Sequence, residues 1–293
     1  MMDRRHFSAA LLAALASAPA LARADGKTEL QRQMADIEKA SGGRLGVCIL
    51  DTGSGLRAGH RADERFPMCS TFKFLAAAAV LSRVDQGKER LERRIVIGQR
   101  DLIPHAPVTG KHLGEPGLTM AELCEAAVTL SDNPAANLML ASFGGPAGLT
   151  RYLRSLGDTQ TRLDRNEPGL NESLPGDPRD TTTPAAMLAT MQKILLGDAL
   201  LPASRAQIQS WLDGCQTGAR RLRAGVPADW AVGDKTGSGS RGSTCDIAIL
   251  RPPGRAPILV TAYLTGTEAS MDVRDAAIAS VGALVNRASR PQS

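Results

Sequence analysis

Strand-type periodicity sits at the two ends of this chain and helical periodicity fills its middle, and that division constrains the fold more than any other feature. Near the start, Thr28 to Ala40 has Leu30, Met34, Ile37 and Ala40 about one turn apart, which predicts an amphipathic helix. Gly42-Gly43 ends it. Leu45 to Leu50 then reads as a strand, Asp51-Thr52-Gly53-Ser54-Gly55 as a tight turn, and Leu56 to His60 as the returning strand. Near the end, Trp230 to Thr236, Thr244 to Leu250 and Ile258 to Leu264 read as three more strands, before a helix over Met271 to Arg287. Five strands split between the ends of one chain are satisfied most simply in one antiparallel sheet with helices packed on it.

From Ser70 to about Leu212 the apolar spacing is helical: Phe72 to Val84, Thr119 to Leu130, Pro134 to Ser142, Gly148 to Leu156, Pro184 to Leu196 and Pro202 to Leu212. Asp164 to Thr183 interrupts this, is rich in Pro, Asn, Asp and Gly, and is too long for an ordinary connector. The fold expected is therefore α+β: residues 25–61 and 213–293 form one α/β lobe around a five-stranded antiparallel sheet, and residues 62–212 form an all-helical lobe that includes the 164–183 loop.

Residues 1–24 are set aside. Asp3-Arg4-Arg5-His6-Phe7, an alanine-rich apolar run from Ala9 to Leu21 and the small-x-small site Ala22-Arg23-Ala24 have the form of a cleaved export signal. The run is too short and too alanine-rich for a good membrane span. Arg-Arg-x-Phe resembles a twin-arginine signal, although paired arginines also open ordinary secretory signals. A periplasmic or secreted protein is expected, with no membrane attachment after cleavage. The formal net charge of +5 includes Arg4, Arg5 and Arg23, and no run of Lys or Arg is long enough for a nucleic-acid face. Aromatic residues are only 3 % of the chain, too few for base stacking. Small molecules are the expected partners, and a monomer the expected state.

Five cysteines lie beyond the signal, Cys48, Cys69, Cys124, Cys215 and Cys245, and no Cys-x-x-Cys pair suggests zinc. Neither His60 nor His112 has neighbours at metal-ligand spacing, so no metal and no cofactor are expected.

The chemistry begins at Ser70-Thr71-Phe72-Lys73, where Ser70 and Lys73 lie three apart at the start of a helix. A serine hydroxyl is a weak nucleophile until a base takes its proton. A buried lysine can be that base, because burial lowers the pKa of an ammonium. Alone, Ser-x-x-Lys is a common accident. Its company is not: Ser131-Asp132-Asn133 falls between two predicted helices, Lys235-Thr236-Gly237 ends a predicted strand, and Glu167-Pro168-Gly169-Leu170-Asn171 lies in the long loop.

Over essentially its whole mature length the chain resembles the class A β-lactamases. The resemblance is carried by Phe66-Pro67-Met68-Cys69-Ser70-Thr71-Phe72-Lys73, Ser131-Asp132-Asn133-Pro134-Ala135-Ala136-Asn137 and Asp234-Lys235-Thr236-Gly237-Ser238-Gly239. It implies that Ser70 attacks the lactam carbonyl, Lys73 takes or relays the proton, and Ser131 passes one to the departing ring nitrogen. The backbone N–H groups of Ser70 and Ser238 would form an oxyanion hole. Asn133 would bind the substrate's side-chain amide, and Lys235 and Thr236 its carboxylate. Glu167 and Asn171 would activate the water that hydrolyses the ester, and Arg165 and Asp180 would close the base of their loop.

Departures from the common pattern qualify this. Thr244 stands where many relatives carry a carboxylate-binding arginine, and Arg221 matches where others place it instead. His105 occupies the position of an aromatic gatekeeper. Relatives that hydrolyse carbapenems often bridge the cysteine before the nucleophile to the residue that here is Gly239; Cys245 lies further along, so a bridge from Cys69 to it is left open, each cysteine is read by default as a small buried core residue, and carbapenem hydrolysis is not expected. Ser238 is the hydroxyl residue of relatives that turn over cephalosporins, so penicillins and at least some cephalosporins are the expected substrates. Two alternatives are a D-Ala-D-Ala peptidase and a penicillin-binding sensor that stays acylated. Glu167-x-x-x-Asn171 argues against both, because an ester without a poised base and water is long-lived.

Overall fold

The computed structural model describes residues 28–289; the export signal expected at residues 1–24 lies outside the described residues. A first helix, α1, covers residues 28–41. The strands β1 (Arg44–Asp51) and β2 (Arg57–His60) follow as a hairpin, then β3 (Phe66–Pro67) and helix α2 (Phe72–Asp85). Next come β4 (Arg94–Ile97), β5 (Gly114–Thr119), α3 (Met120–Thr129), α4 (Asn133–Ala141) and α5 (Gly145–Ser155). After the long loop come β6 (Thr181–Thr182), α6 (Pro184–Leu195), α7 (Pro202–Asp213), β7 (Ala231–Ser238), β8 (Thr244–Arg251), β9 (Ile258–Thr265) and α8 (Met271–Ala288).

The main sheet has five strands in the order β2-β1-β9-β8-β7, every neighbouring pair antiparallel. The expected sheet, joined from both ends of the chain, is the one observed. Alternation along its strands separates two cores. Ala248 and Leu250 of β8 and Val260, Ala262 and Leu264 of β9 pack with Met34 of α1 and Ile278, Val281 and Leu284 of α8. Cys245, Ile247 and Ile249 of β8 and Leu259 and Tyr263 of β9 face the other way, into the core built by the middle helices. A central strand covered on both faces reads as an unbroken apolar run, which is the character of Ile258–Thr265.

Helix α2 is the centre of the second core. Every residue from Phe72 to Leu81 is buried, in keeping with a helix apolar on all sides, and Lys73 is carried into that interior with them.

Two small ribbons lie within residues 62–212, so that segment is not purely helical: β3 pairs with β6, and β4 with β5. Neither has a strong sequence signal. The first pairs only two residues per strand, and the second is half-exposed and interrupted by a register shift between Ile95 and Ile97.

Candidate active site

Ser70 lies in a single 3-10 turn, Cys69–Thr71, that runs directly into α2. Cys69 has a φ of 44°, an unusual backbone state for a non-glycine residue, which turns the chain sharply before the nucleophile. Strand β7 passes close beside this turn. A Cβ placed on Gly237 would lie 3.0 Å from the Ser70 backbone nitrogen, the Met68 carbonyl oxygen and the Cys69 Cβ, so a side chain there would crowd the Ser70 turn. This close approach sets the Ser70 turn alongside the end of β7, where Ser238 sits.

One turn into α2, the Lys73 ammonium donates to the Ser131 carbonyl at 2.7 Å, the Ser131 hydroxyl at 3.2 Å and Oδ1 of Asn133 at 2.6 Å. Burial pushes its pKa below the ordinary lysine value, partly opposed by Glu167. Ser131 is positioned by the start of α4. Asp132 caps that helix by accepting from the Ala135 N–H, and it also accepts from the N–H groups of Val108 and Thr109. Ser131 itself takes a φ of 60°.

Lys235, on β7, reaches the same Ser131 hydroxyl from the other side at 3.2 Å and also donates to the Thr236 carbonyl. Two lysines thus converge on one hydroxyl. Burial and then the charge of Lys73 push the Lys235 pKa down to about 8.

The long loop delivers Glu167, which is only 4 % exposed. Its Oε1 accepts from the Ser70 hydroxyl at 3.3 Å and stands 3.1 Å from Nζ of Lys73; its Oε2 accepts from Nδ2 of Asn171 at 2.5 Å. Ser70 and Lys73 are therefore linked through one carboxylate oxygen. Oδ1 of Asn171 is buried with no hydrogen-bond partner among the described residues. Asp180 gathers the base of the loop, accepting from the N–H groups of Asp164 and Arg165 and, at 2.6 Å, from Nε of Arg165.

Arg221 is buried rather than solvated. Its guanidinium meets Asp275 at 2.9 Å and donates to the Gly237 and Cys245 carbonyls and, at 2.8 Å, to the Ser238 hydroxyl. It thereby approaches the cleft through Ser238. Thr236 is hydrogen-bonded to Thr217. Asn133 has both ends of its amide occupied, by Lys73 and by the Pro104 carbonyl. His105 is exposed, with Nε2 3.0 Å from the Leu130 carbonyl oxygen, and its own carbonyl accepts from the Asn133 N–H.

Three supporting residues were not singled out from the sequence. Asn137 donates to the Glu167 carbonyl and accepts from the Glu167 N–H, both at 2.9 Å. Asp275 holds Arg221, and Thr217 holds Thr236. Asn137 was visible at the end of the Ser131 signature; nothing local marks the other two. Among the described residues no group of three or more His, Cys, Asp or Glu side chains could hold a metal ion.

Comparison with known proteins places the chain in a family. The sequence profile of the beta-lactamase enzyme family matches residues 29–288. The chain is 47 % identical to Beta-lactamase CTX-M-8 of Citrobacter amalonaticus over 92 % of each protein. It is also 47 % identical to Beta-lactamase L2 of Stenotrophomonas maltophilia, over 98 % of this chain and 99 % of the other. Among solved structures, an ancestral (GNCA) class A β-lactamase superposes with a TM-score of 0.87 at 66 % identity, covering 88 % of this chain and 99 % of its own. The putative class A β-lactamase PenP from Rhodopseudomonas palustris gives a TM-score of 0.87 at 60 % identity, over 89 % and 99 %. With a matching profile over nearly all of the described chain, the protein belongs to the class A serine β-lactamases, enzymes that hydrolyse β-lactam antibiotics and so confer resistance to them.

Proposed function

We propose that the chain hydrolyses the β-lactam amide of penicillins and cephalosporins in two steps through an ester on Ser70. The observation that carries the reading is the position of Oε1 of Glu167, 3.3 Å from the Ser70 hydroxyl and 3.1 Å from Nζ of Lys73. In the first step Ser70 attacks the carbonyl while its proton passes to Glu167, which its hydroxyl already meets, or is relayed through that carboxylate to Lys73. The developing oxyanion is held by the N–H groups of Ser70 and Ser238, a reading supported by the close packing of β7 on the Ser70 turn. Ser131, between two lysines, protonates the ring nitrogen as the amide opens.

Recognition follows from charge. Lys235, Thr236, Ser238 and, through Ser238, Arg221 form a cationic and hydroxylic seat for the substrate carboxylate. Asn133 and His105 line the entrance for the acyl side chain. Asn133 exchanges a bond to Lys73 or Pro104 for one to the substrate amide.

The second step separates a hydrolase from a sensor. Glu167 takes a proton from a water held by Asn171, whose buried Oδ1 is a free acceptor, and that water cleaves the ester. A D-Ala-D-Ala peptidase or acylated sensor has no use for this carboxylate.

The deciding experiment is stopped mixing with a chromogenic cephalosporin, followed by intact mass spectrometry. Sustained turnover without a persistent adduct is expected. One equivalent of long-lived adduct would instead identify a sensor or peptidase. We also propose export as a monomer with no membrane or nucleic-acid partner, to be checked by N-terminal sequencing and native mass of protein from the periplasm. No helix among the described residues is long and apolar enough to cross a membrane.

A further inference from the structure

Two thiols that the proposed cycle does not use meet behind the nucleophile. Cys69 immediately precedes Ser70 and is 0 % exposed; Cys245, on β8, is 1 % exposed. The sheet register brings them together. Cys245 is flanked by Gly237 on β7 and Tyr263 on β9, and cross-strand partners project to the same face. Gly237 has no side chain, and Cys69 fills that room: its Cβ lies 3.0 Å from where a Gly237 Cβ would be, and its Sγ 2.8 Å from where a Gly239 Cβ would be. The Cys245 thiol donates at 3.5 Å to the Pro67 carbonyl, two residues before Cys69, and the neighbouring Cys69 thiol helps to push its pKa up. Both are free.

We infer that Cys69 and Cys245 are a disulfide-forming pair, closed by an oxidising environment into a covalent brace behind the nucleophile and the oxyanion strand. The bond would tie the Ser70 turn to β8, which pairs along its whole length with β7. The Cys245 backbone already belongs to this scaffold, since its carbonyl and that of Gly237 accept from the same nitrogen of Arg221. The cross-link itself is independent of the acyl-enzyme reading; its role as a brace of the oxyanion side rests on that reading.

The oxidant is a small-molecule disulfide such as glutathione disulfide. One protein thiolate attacks it, forming a mixed disulfide and releasing one thiolate; the second protein thiolate then attacks the protein-side sulfur and releases the other. The two protein thiols lose two electrons and two protons, and the oxidant is reduced to two thiols. Burial pushes the Cys245 thiol well above its usual pKa and keeps the thiolate scarce. Closure is therefore slow in the folded chain and fast while the chain folds.

The test uses the full mature protein in two arms, incubation of the folded enzyme with glutathione disulfide and refolding from guanidinium in a glutathione redox buffer, each followed by denaturing alkylation and peptide mapping. Closure predicts a chain lighter by two hydrogen masses, three of the five cysteines alkylated, and a linked peptide containing Cys69 and Cys245. It also predicts an unfolding midpoint raised by roughly 10 °C and reversed by a phosphine reductant, because the bond closes a long loop. C69S and C245S should each abolish the mass change and the shift, whereas C48S, C124S and C215S should keep both. Absence of the linked peptide in both arms, or a bridge between other cysteines, overturns the proposal. A linked peptide with an unchanged midpoint and unchanged survival of hydrolysis after heating overturns the brace while sparing the acyl-enzyme assignment, which the adduct experiment tests separately.

Discussion

Replacing Glu167 by Gln keeps the shape of the side chain and removes its charge and basicity. In the parent, Oε1 serves both Ser70 and Lys73, while Oε2 is held by Asn171. The amide can still accept from one of these partners but cannot take a proton from water. Loss of a positioned general base costs roughly 10²- to 10⁴-fold, or about 3 to 5 kcal/mol in the barrier of the second step. The first step should suffer much less, for a reason the burial of Lys73 supplies. Desolvation lowers the lysine pKa and Glu167 raises it, so deleting the carboxylate leaves more of the lysine neutral and able to accept the Ser70 proton. Acylation by E167Q should therefore persist and extend to lower pH than in the parent. Stopped-flow absorbance with a chromogenic cephalosporin should show a burst of about one equivalent, and intact mass should show the acylated chain accumulating. Turnover at the parent rate with no adduct would refute the assignment of Glu167 to the second step. Loss of the burst itself would refute Lys73 as a sufficient base for the first.

Asn137→Leu removes both bonds that pin the Glu167 backbone, and should slow deacylation more than acylation and cost about 2 kcal/mol of stability; single-turnover kinetics and denaturant titration separate the two effects. Asp275→Ala leaves the Arg221 guanidinium buried without its carboxylate, for a loss of about 3 kcal/mol and a midpoint lower by roughly 6 to 12 °C. A calorimetric scan unchanged from the parent would show that the pair is structurally idle. Lys235, with its pKa held down to about 8, is a cation below that pH and neutral above it. kcat/KM for a carboxylate-bearing substrate should therefore fall on an alkaline limb near pH 8, and Lys235→Arg, which keeps its charge, should remove that limb. Folding also expels this proton between about pH 8 and the ordinary lysine value of 10.5, so the contribution of Lys235 to stability improves as pH rises through that window.

Much of this protein is legible locally. The five strands of the main sheet and the helices from Phe72 onward depend on residues at most a few positions apart, so hydrophobic period reveals them. Ser70, in the 3-10 turn, and Lys73, in the first turn of α2, are three apart in the chain, and their closeness needs no tertiary information. What the pair can do is a different matter. Lys73 is a depressed base because α2 is buried on all sides, and it reaches Ser70 through an oxygen of Glu167, which lies 97 positions from Ser70 in the chain. Arg221 reads as a surface or substrate-facing cation until the fold buries it against Asp275, 54 positions away. Cys69 and Cys245 come near each other because the sheet register sets Cys245 opposite Gly237, against which the Ser70 turn packs. The short β4–β5 ribbon escapes the sequence for the opposite reason, since half-exposed strands with a shifted register carry little apolar alternation. Sequence by itself determined the strands of the main sheet, the long helices and which residue types stand ready for chemistry, because those follow from local stereochemistry and hydrophobic periodicity. Only the tertiary structure decided which charges are buried, which oxygen is shared and which side chains touch, because desolvation and contact are properties of groups that the folded chain assembles from distant positions.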